Sequence, residues 1–332
     1  MNATKNHILE ANYDLPVIPC SVLPRVNTHY PVIRARHAEW AYQHTPPLHP
    51  GSPPRGVVHL DALYDSLMLP DGMADRVCHH ACLLSAVVDC DDLAQLDPVF
   101  CDQMVAGDPD NPYTGPIIAI WNTIRKNAPS ESVYQRLRQR WQEWFEFLEI
   151  EKKARRKPES LDVETCIQMH VVSAGVRSYP VAIEYTMNFD ASDVVQDPDI
   201  ERAKEVAVTH SALVNDLYSY HKECLLGDSL NPLYALLRDN YSLQGAINFI
   251  YRRLEALDEE MSELIGTLHL RYARHPLGER LHQYIDNYHI LMAGNAQWHL
   301  ESPRYYGNGY LWDGRLARHI TVANQRPPID PL

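Results

Sequence analysis

The chain has 332 residues, above the usual size of one compact domain yet within reach of an all-helical enzyme folded as a single unit. Its 30 basic residues face 43 acidic ones, a net charge of −13, which argues against a nucleic-acid or anionic-membrane surface; an anionic substrate would need metal ions and a local basic cluster. Seven cysteines, odd in number and without a Cys-x-x-Cys pair, complete no zinc site and read as reduced thiols, and 45% hydrophobic residues are enough for a sizeable core.

The first thirty residues read as irregular, with Pro16, Pro19 and Pro24 interrupting any regular element. They lack an apolar core of signal-peptide length, and the longest uncharged run, Ala81 to Val88, is far short of a bilayer span, so the expectation is a cytoplasmic protein without a membrane segment. A helix is predicted from about Val32 to Gln43. The stretch 44–54 holds Pro46, Pro47, Pro50, Pro53 and Pro54, cannot be helix or central strand, and reads as a surface loop within one domain. Glycine is scarce from there on, and no apolar/polar alternation lasts long enough to argue for a sheet.

Helical periodicity marks Ala74 to Leu93, Gly115 to Lys126, Glu131 to Arg156, Leu161 to Arg177, Pro198 to Leu226, Leu243 to Leu268 and Gly278 to Leu300. The Pro198 helix is the best delimited, with Asp197 at the cap, Pro198 in the first turn and Gly227 past the end. Within it Val206, Leu213, Leu217 and Cys224 make an apolar stripe. The simplest architecture is one all-α domain, 1–332, a bundle of about a dozen helices.

Three stretches carry chemistry. The first lies on the Pro198 helix, where Asn215, Ser219 and Glu223 recur at i, i+4 and i+8, drifting only about 80° over about 12 Å. A polar stripe at this spacing is ordinarily the wet side of an amphipathic helix. An amide oxygen, a hydroxyl and a carboxylate in a row are also what a hard octahedral cation such as Mg2+ accepts. The second stretch places Asp89, Asp91 and Asp92 at the end of an apolar helix, where three neighbouring carboxylates repel one another unless water or cations compensate. The third, Trp298 to Tyr306, contains Arg304, a bidentate phosphate donor, beside Tyr305.

The run Asn215-Asp216-Leu217-Tyr218-Ser219-Tyr220-His221-Lys222-Glu223 resembles the second metal motif of class I terpene synthases, Asn-Asp-x-x-Ser-x-x-Lys-Glu, in full. Asp91-Asp92-Leu93-Ala94-Gln95 resembles the family's Asp-rich motif with Gln in the last place, and Arg304-Tyr305 resembles its terminal Arg-Tyr pair. The resemblance runs from about Ala74 to Tyr306. It implies an all-α class I terpenoid synthase-like bundle around a central apolar cavity. The implied metal set is Asp91, Asn215, Ser219 and Glu223, with Asp91 leading and Asp89 and Asp92 as rivals for that place; by family analogy it holds about three Mg2+ ions. Lys222, Arg304 and Tyr305 are implied as diphosphate donors. The family's diphosphate-sensing Arg aligns with His170; protonated His170, the later Arg177, or no sensor at all are the three options. Tyr64, Tyr185 and Trp298 are candidate cavity aromatics.

The implied activity is Mg-dependent ionisation and cyclisation of farnesyl diphosphate to a sesquiterpene, with no nucleic-acid or membrane partner and with a homodimer allowed. Two other readings are a chain-elongating prenyltransferase, which would need a second Asp-rich motif, and a catalytically silent helical binding protein derived from such an enzyme.

Overall fold

In the computed structural model, residues 12–47, 51–96, 107–155, 161–226, 230–307 and 309–321 are described. Twelve α-helices lie among them: α1 (Tyr30–His44), α2 (Arg55–Val58), α3 (Asp61–Met68), α4 (Ala74–Leu96), α5 (Thr114–Asn127), α6 (Glu131–Ala154), α7 (Val163–Ser173), α8 (Tyr179–Thr186), α9 (Pro198–Leu226), α10 (Pro232–Arg238), α11 (Leu243–Arg271) and α12 (Gly278–Glu301). The expectation of an all-α bundle holds. The N-terminal segment is not wholly irregular, however. Asn12–Leu15 forms β1, which pairs antiparallel with β2 (Arg318–Thr321). Tyr13 and Leu15 turn inward while Asn12 and Asp14 face out, a period-2 pattern too short to stand out in the sequence. The described part of the proline-rich stretch lies between two helices, as expected. Helix α1 runs through His44, α2 starts at Arg55 directly after Pro54, and Pro47 bridges Pro54.

Helix α12 is the axis of the bundle, buried on nearly every side between Leu281 and Leu300. It packs against α3, α9 and α11, while α4 packs on α1, α3 and α5, and α6 on α7 and α8. Helix α9 starts where predicted: Asp197 accepts from the Asp199 amide at 2.8 Å, capping the first turn, and the same carboxylate holds Arg271 and Tyr272 at the end of α11. Gly227 lies outside the described residues.

The predicted Leu161 to Arg177 helix is two pieces. Asp162 caps α7 through the Thr165 amide at 2.7 Å, and α7 stops at Ser173. Gly175 then adopts φ +72°, a left-handed conformation that glycine takes at little cost, and a 3₁₀ turn at 176–178 leads into α8. The Trp144 indole donates to the freed Ser173 carbonyl at 2.7 Å, so the break is built in. No helix of the described residues is long and apolar enough to cross a membrane.

Candidate active site

Helices α3, α4, α6, α7, α9 and α12, with the segment after α12, surround one cavity. Its wall on α4 is Leu84, Val87, Val88 and Asp91, spaced i, i+3, i+4, i+7, passing from apolar to acidic toward the helix C-terminus over about 10 Å. The facing wall on α9 is Ser211, Asn215, Asp216, Ser219, Lys222 and Glu223. Tyr64, Trp141, Trp144 and Trp298 supply aromatic lining, with the Tyr64 and Trp298 rings 4.6 Å apart. Residues separated by more than a hundred positions thus share one wall-to-wall space.

The structure brings Asp91, His170, Asn215, Ser219, Lys222, Glu223, Arg304 and Tyr305 to that space. It does not bring Asp89. Two residues before Asp91, Asp89 lies about 200° round the helix; its buried carboxylate accepts from the Tyr113 hydroxyl at 3.2 Å and approaches Arg55 at 3.9 Å. The Asp92 side chain lies outside the described residues. Arg177 also misses the cavity: after the break at Gly175 it is Val176 that lines the space, and the Arg177 guanidinium approaches Glu143 at 3.6 Å. Tyr185 is buried elsewhere, its hydroxyl 3.0 Å from His79 Nδ1.

The donor set suits a hard cation. Buried Ser219 Oγ has no hydrogen-bond partner among the described residues, an orphaned oxygen on the wall that a metal ion would satisfy. Glu223 is held in place by Asn231 Nδ2 at 2.9 Å, and that nitrogen also donates to the Asp216 carbonyl at 2.8 Å. Asn231 in turn caps α10 through the Leu233 amide, so the start of α10 and the Glu223 carboxylate are fixed together.

His170 Nδ1 lies 2.7 Å from the buried Asp216 carboxylate, and His170 itself is half-buried on the cavity wall. Burial opposes the imidazolium, but Asp216, with Glu223 and Glu151 behind it, outweighs this and raises His170 to about 9. Burial pushes Asp216 up, against the pull of His170. The cavity wall therefore carries a cation at His170 at neutral pH, where the resemblance places a guanidinium. Sequence reasoning passed over Arg155, which lines the same cavity just past α6 and pairs with Glu151 at 3.1 Å. Its only signal was a cationic run, Lys152 to Arg156, that looks like a solvated helix end.

His299 was also missed. It is fully buried and neutral; burial, with Arg304 and His170 nearby and the Asn295 carbonyl opposing, lowers it to about 3. Its Nδ1 faces Asn295 O at 2.8 Å, and its Nε2 is 3.0 Å from Asn215 Nδ2 and 3.1 Å from the Tyr305 hydroxyl. That hydroxyl accepts from Asn215 Nδ2 at 2.8 Å.

Residues 84–259, spanning both acidic walls, match terpene synthase family 2, C-terminal metal binding. The chain belongs to this family. Curated relatives include viridiflorene synthase Agr2 of Cyclocybe aegerita, 28% identical over 167 residues, 48% of this chain and 43% of the relative. Another is (+)-germacrene D synthase of Selaginella moellendorffii, 26% identical over 171 residues, 50% of this chain and 48% of the relative. The matches thus span less than half the length of these two relatives. As a fold the terpene synthase likeness is broader. Germacradien-4-ol synthase from Streptomyces citricolor superposes with a TM-score of 0.72 at 18% identity, covering 86% of this chain and 98% of that one. Hedycaryol synthase in complex with nerolidol gives 0.72 at 16%, again covering 86% and 98%.

Proposed function

We propose that the chain is a single-domain, Mg-dependent sesquiterpene cyclase that ionises farnesyl diphosphate and closes the resulting cation into a ring. What supports this most is the common cavity: Asp91 on α4 and the Asn215, Ser219, Glu223 stripe on α9 line one space that also holds cationic side chains and the apolar and aromatic surface of Leu84, Val87, Trp141, Trp144 and Trp298. Relatives named as sesquiterpene synthases favour a fifteen-carbon substrate.

In this reading Asp91, Asn215, Ser219 and Glu223 hold Mg2+, which when bound neutralises the charge that builds on the departing diphosphate. Lys222, Arg304 and protonated His170 add cationic donors to the same group, and Arg155 lies on the same wall. The allylic C–O bond breaks with its electron pair leaving on diphosphate oxygen, so no protein nucleophile is needed. Tyr64, Trp141, Trp144 and Trp298 keep water from the allylic cation, and a ring whose face meets it contributes about 1–2 kcal/mol when desolvated. The same walls fold the isoprenoid chain so that a distal double bond meets the cationic carbon.

The test supplies purified protein with Mg2+ and, in turn, geranyl, farnesyl and geranylgeranyl diphosphate, with volatile products read by mass spectrometry. The expected outcome is a cyclic fifteen-carbon hydrocarbon or alcohol from farnesyl diphosphate together with inorganic diphosphate. Absence of turnover with all three substrates sinks the reading.

A further inference from the structure

Of the oxygen donors on α9, Asn215 alone has a wrong way round. Turned one way its amide presents Oδ1, a ligand for a hard cation; turned the other it presents N–H, which repels one. Ser219 and Glu223 carry no such ambiguity. Something in the fold has to choose the orientation.

His299 makes the choice. A carbonyl can only accept, so with Asn295 O at 2.8 Å the ring proton sits on Nδ1, and Nε2 of the neutral imidazole carries a lone pair. Placing Asn215 Oδ1 3.0 Å from that lone pair would set two acceptors against each other. With Nδ2 there, the amide can donate to His299 Nε2 at 3.0 Å and to the oxygen of the Tyr305 hydroxyl at 2.8 Å, whose own proton has the same Nε2 3.1 Å away, so every donor in the triangle meets an acceptor. Oδ1 is then on the far side of the amide and accepts no hydrogen bond among the described residues. Tyr305 alone could not decide, because a hydroxyl donates as readily as it accepts. We infer that His299 is a positioning residue that fixes the Asn215 amide with its oxygen available to the cation. The inference rests on the reading of Asn215 as a cation ligand.

The experiment titrates Mg2+ at constant inorganic diphosphate and reads the thermal shift, with the Mg2+ dependence of turnover as a second readout. His299→Phe keeps a planar ring against Tyr305, whose ring stacks on His299 at 4.9 Å, but removes the lone pair. His299→Gln restores an acceptor at similar reach. The expected result is a rise of about tenfold or more in the Mg2+ midpoint for H299F and recovery to within about threefold for H299Q, with similar metal-free melting temperatures. In an N215D background a carboxylate has no wrong way round, so adding H299F should move the midpoint by less than about threefold. Should H299F fail to fold, His299→Leu takes its place in the same comparisons. An unchanged midpoint in H299F, equal impairment of H299F and H299Q, or the same loss in the N215D background overturns the inference. A wild-type chain that shows no Mg2+-dependent shift with diphosphate instead removes the cyclase reading on which it stands.

Discussion

Two aspartates two residues apart on α4 have opposite surroundings, and the difference is testable. Asp91 lines the cavity, whereas Asp89 is buried against the Tyr113 hydroxyl and Arg55. Asp91→Asn removes the negative charge and one of two oxygens from the wall proposed to hold cations, at nearly unchanged side-chain size. It should lower kcat/KM by about a hundredfold or more, equivalent to about 3 kcal/mol of transition-state stabilisation, with the melting temperature within about 2 °C of wild type. Asp89→Asn should do the reverse, costing about 1–3 kcal/mol of stability by taking the anion from the buried Tyr113 hydroxyl and the neighbouring Arg55 guanidinium, while the Mg2+ requirement is retained. Steady-state kinetics beside thermal melts separate the two. Equal losses of activity from both substitutions would mean that the acidic face is not where the cavity puts it. The sequence alone left these residues as rivals because three carboxylates in four positions look alike until the helix phase is known. Asn215, Ser219 and Glu223 were legible for the opposite reason: their spacing fixes a common face whatever the phase. His299 and Arg155 were not legible, since their importance comes from what α12 and α6 bring them against.

At the scale of elements, what could be read depended on length and on contrast between faces. Helix α9 was read to its limits from its cap, its first-turn proline and its apolar stripe. Helices α3 and α8 escaped, and both are short and buried on all sides, so that no polar face exists to reveal a period. The β1–β2 ladder escaped because two four-residue strands at opposite ends of the chain leave no local signal. Helix–helix approach is a further property that composition hides. Gly294 on α12 lies against the α3 backbone, where an added Cβ would stand 2.3 Å from the Leu67 carbonyl oxygen. Backbone cannot yield as a side chain can, so Gly294→Ala should destabilise the fold by about 1–3 kcal/mol despite the better helix propensity of alanine. Gly266 on α11 is exposed with nothing within 4 Å of an added Cβ, and Gly266→Ala should stabilise by about 0.5–1 kcal/mol. Denaturant melts of the pair give opposite signs if α12 and α3 touch as described, and two stabilised variants would contradict that contact.

For the whole molecule, buried neutral histidines add to the acid limit that its paired carboxylates impose. His37 on α1 is packed against α4, its Nε2 2.7 Å from Ser85 Oγ, and Ser85 gives its own proton to Asp61. Nε2 must therefore be the protonated nitrogen. His210 on α9 lies 3.2 Å from the Pro19 carbonyl, beside the Asp258–His289 pair that also holds the Ser21 amide and so fastens the N-terminal segment to α11 and α12. Burial is the first cause at both sites and lowers each to about 4; Asp65 opposes it at His37, the Pro19 carbonyl and Asp258 at His210. A histidine whose native pKa lies below its unfolded value of about 6.5 lets the unfolded chain bind more protons between those limits, so stability rises with pH across that window. The contribution is fully present above about 6.5 and is lost as pH falls toward 4, by about 3 kcal/mol for each site. Melting temperature should therefore fall steadily from pH 6.5 to pH 4.5, the window in which the His170 contribution, with a native value of about 9, stays constant. His210→Gln, which cannot take up a proton, should melt with a shallower slope over the same interval. Paired thermal melts of the wild type and H210Q in matched buffers check this, and equal slopes would mean that carboxylate protonation alone governs the acid limb.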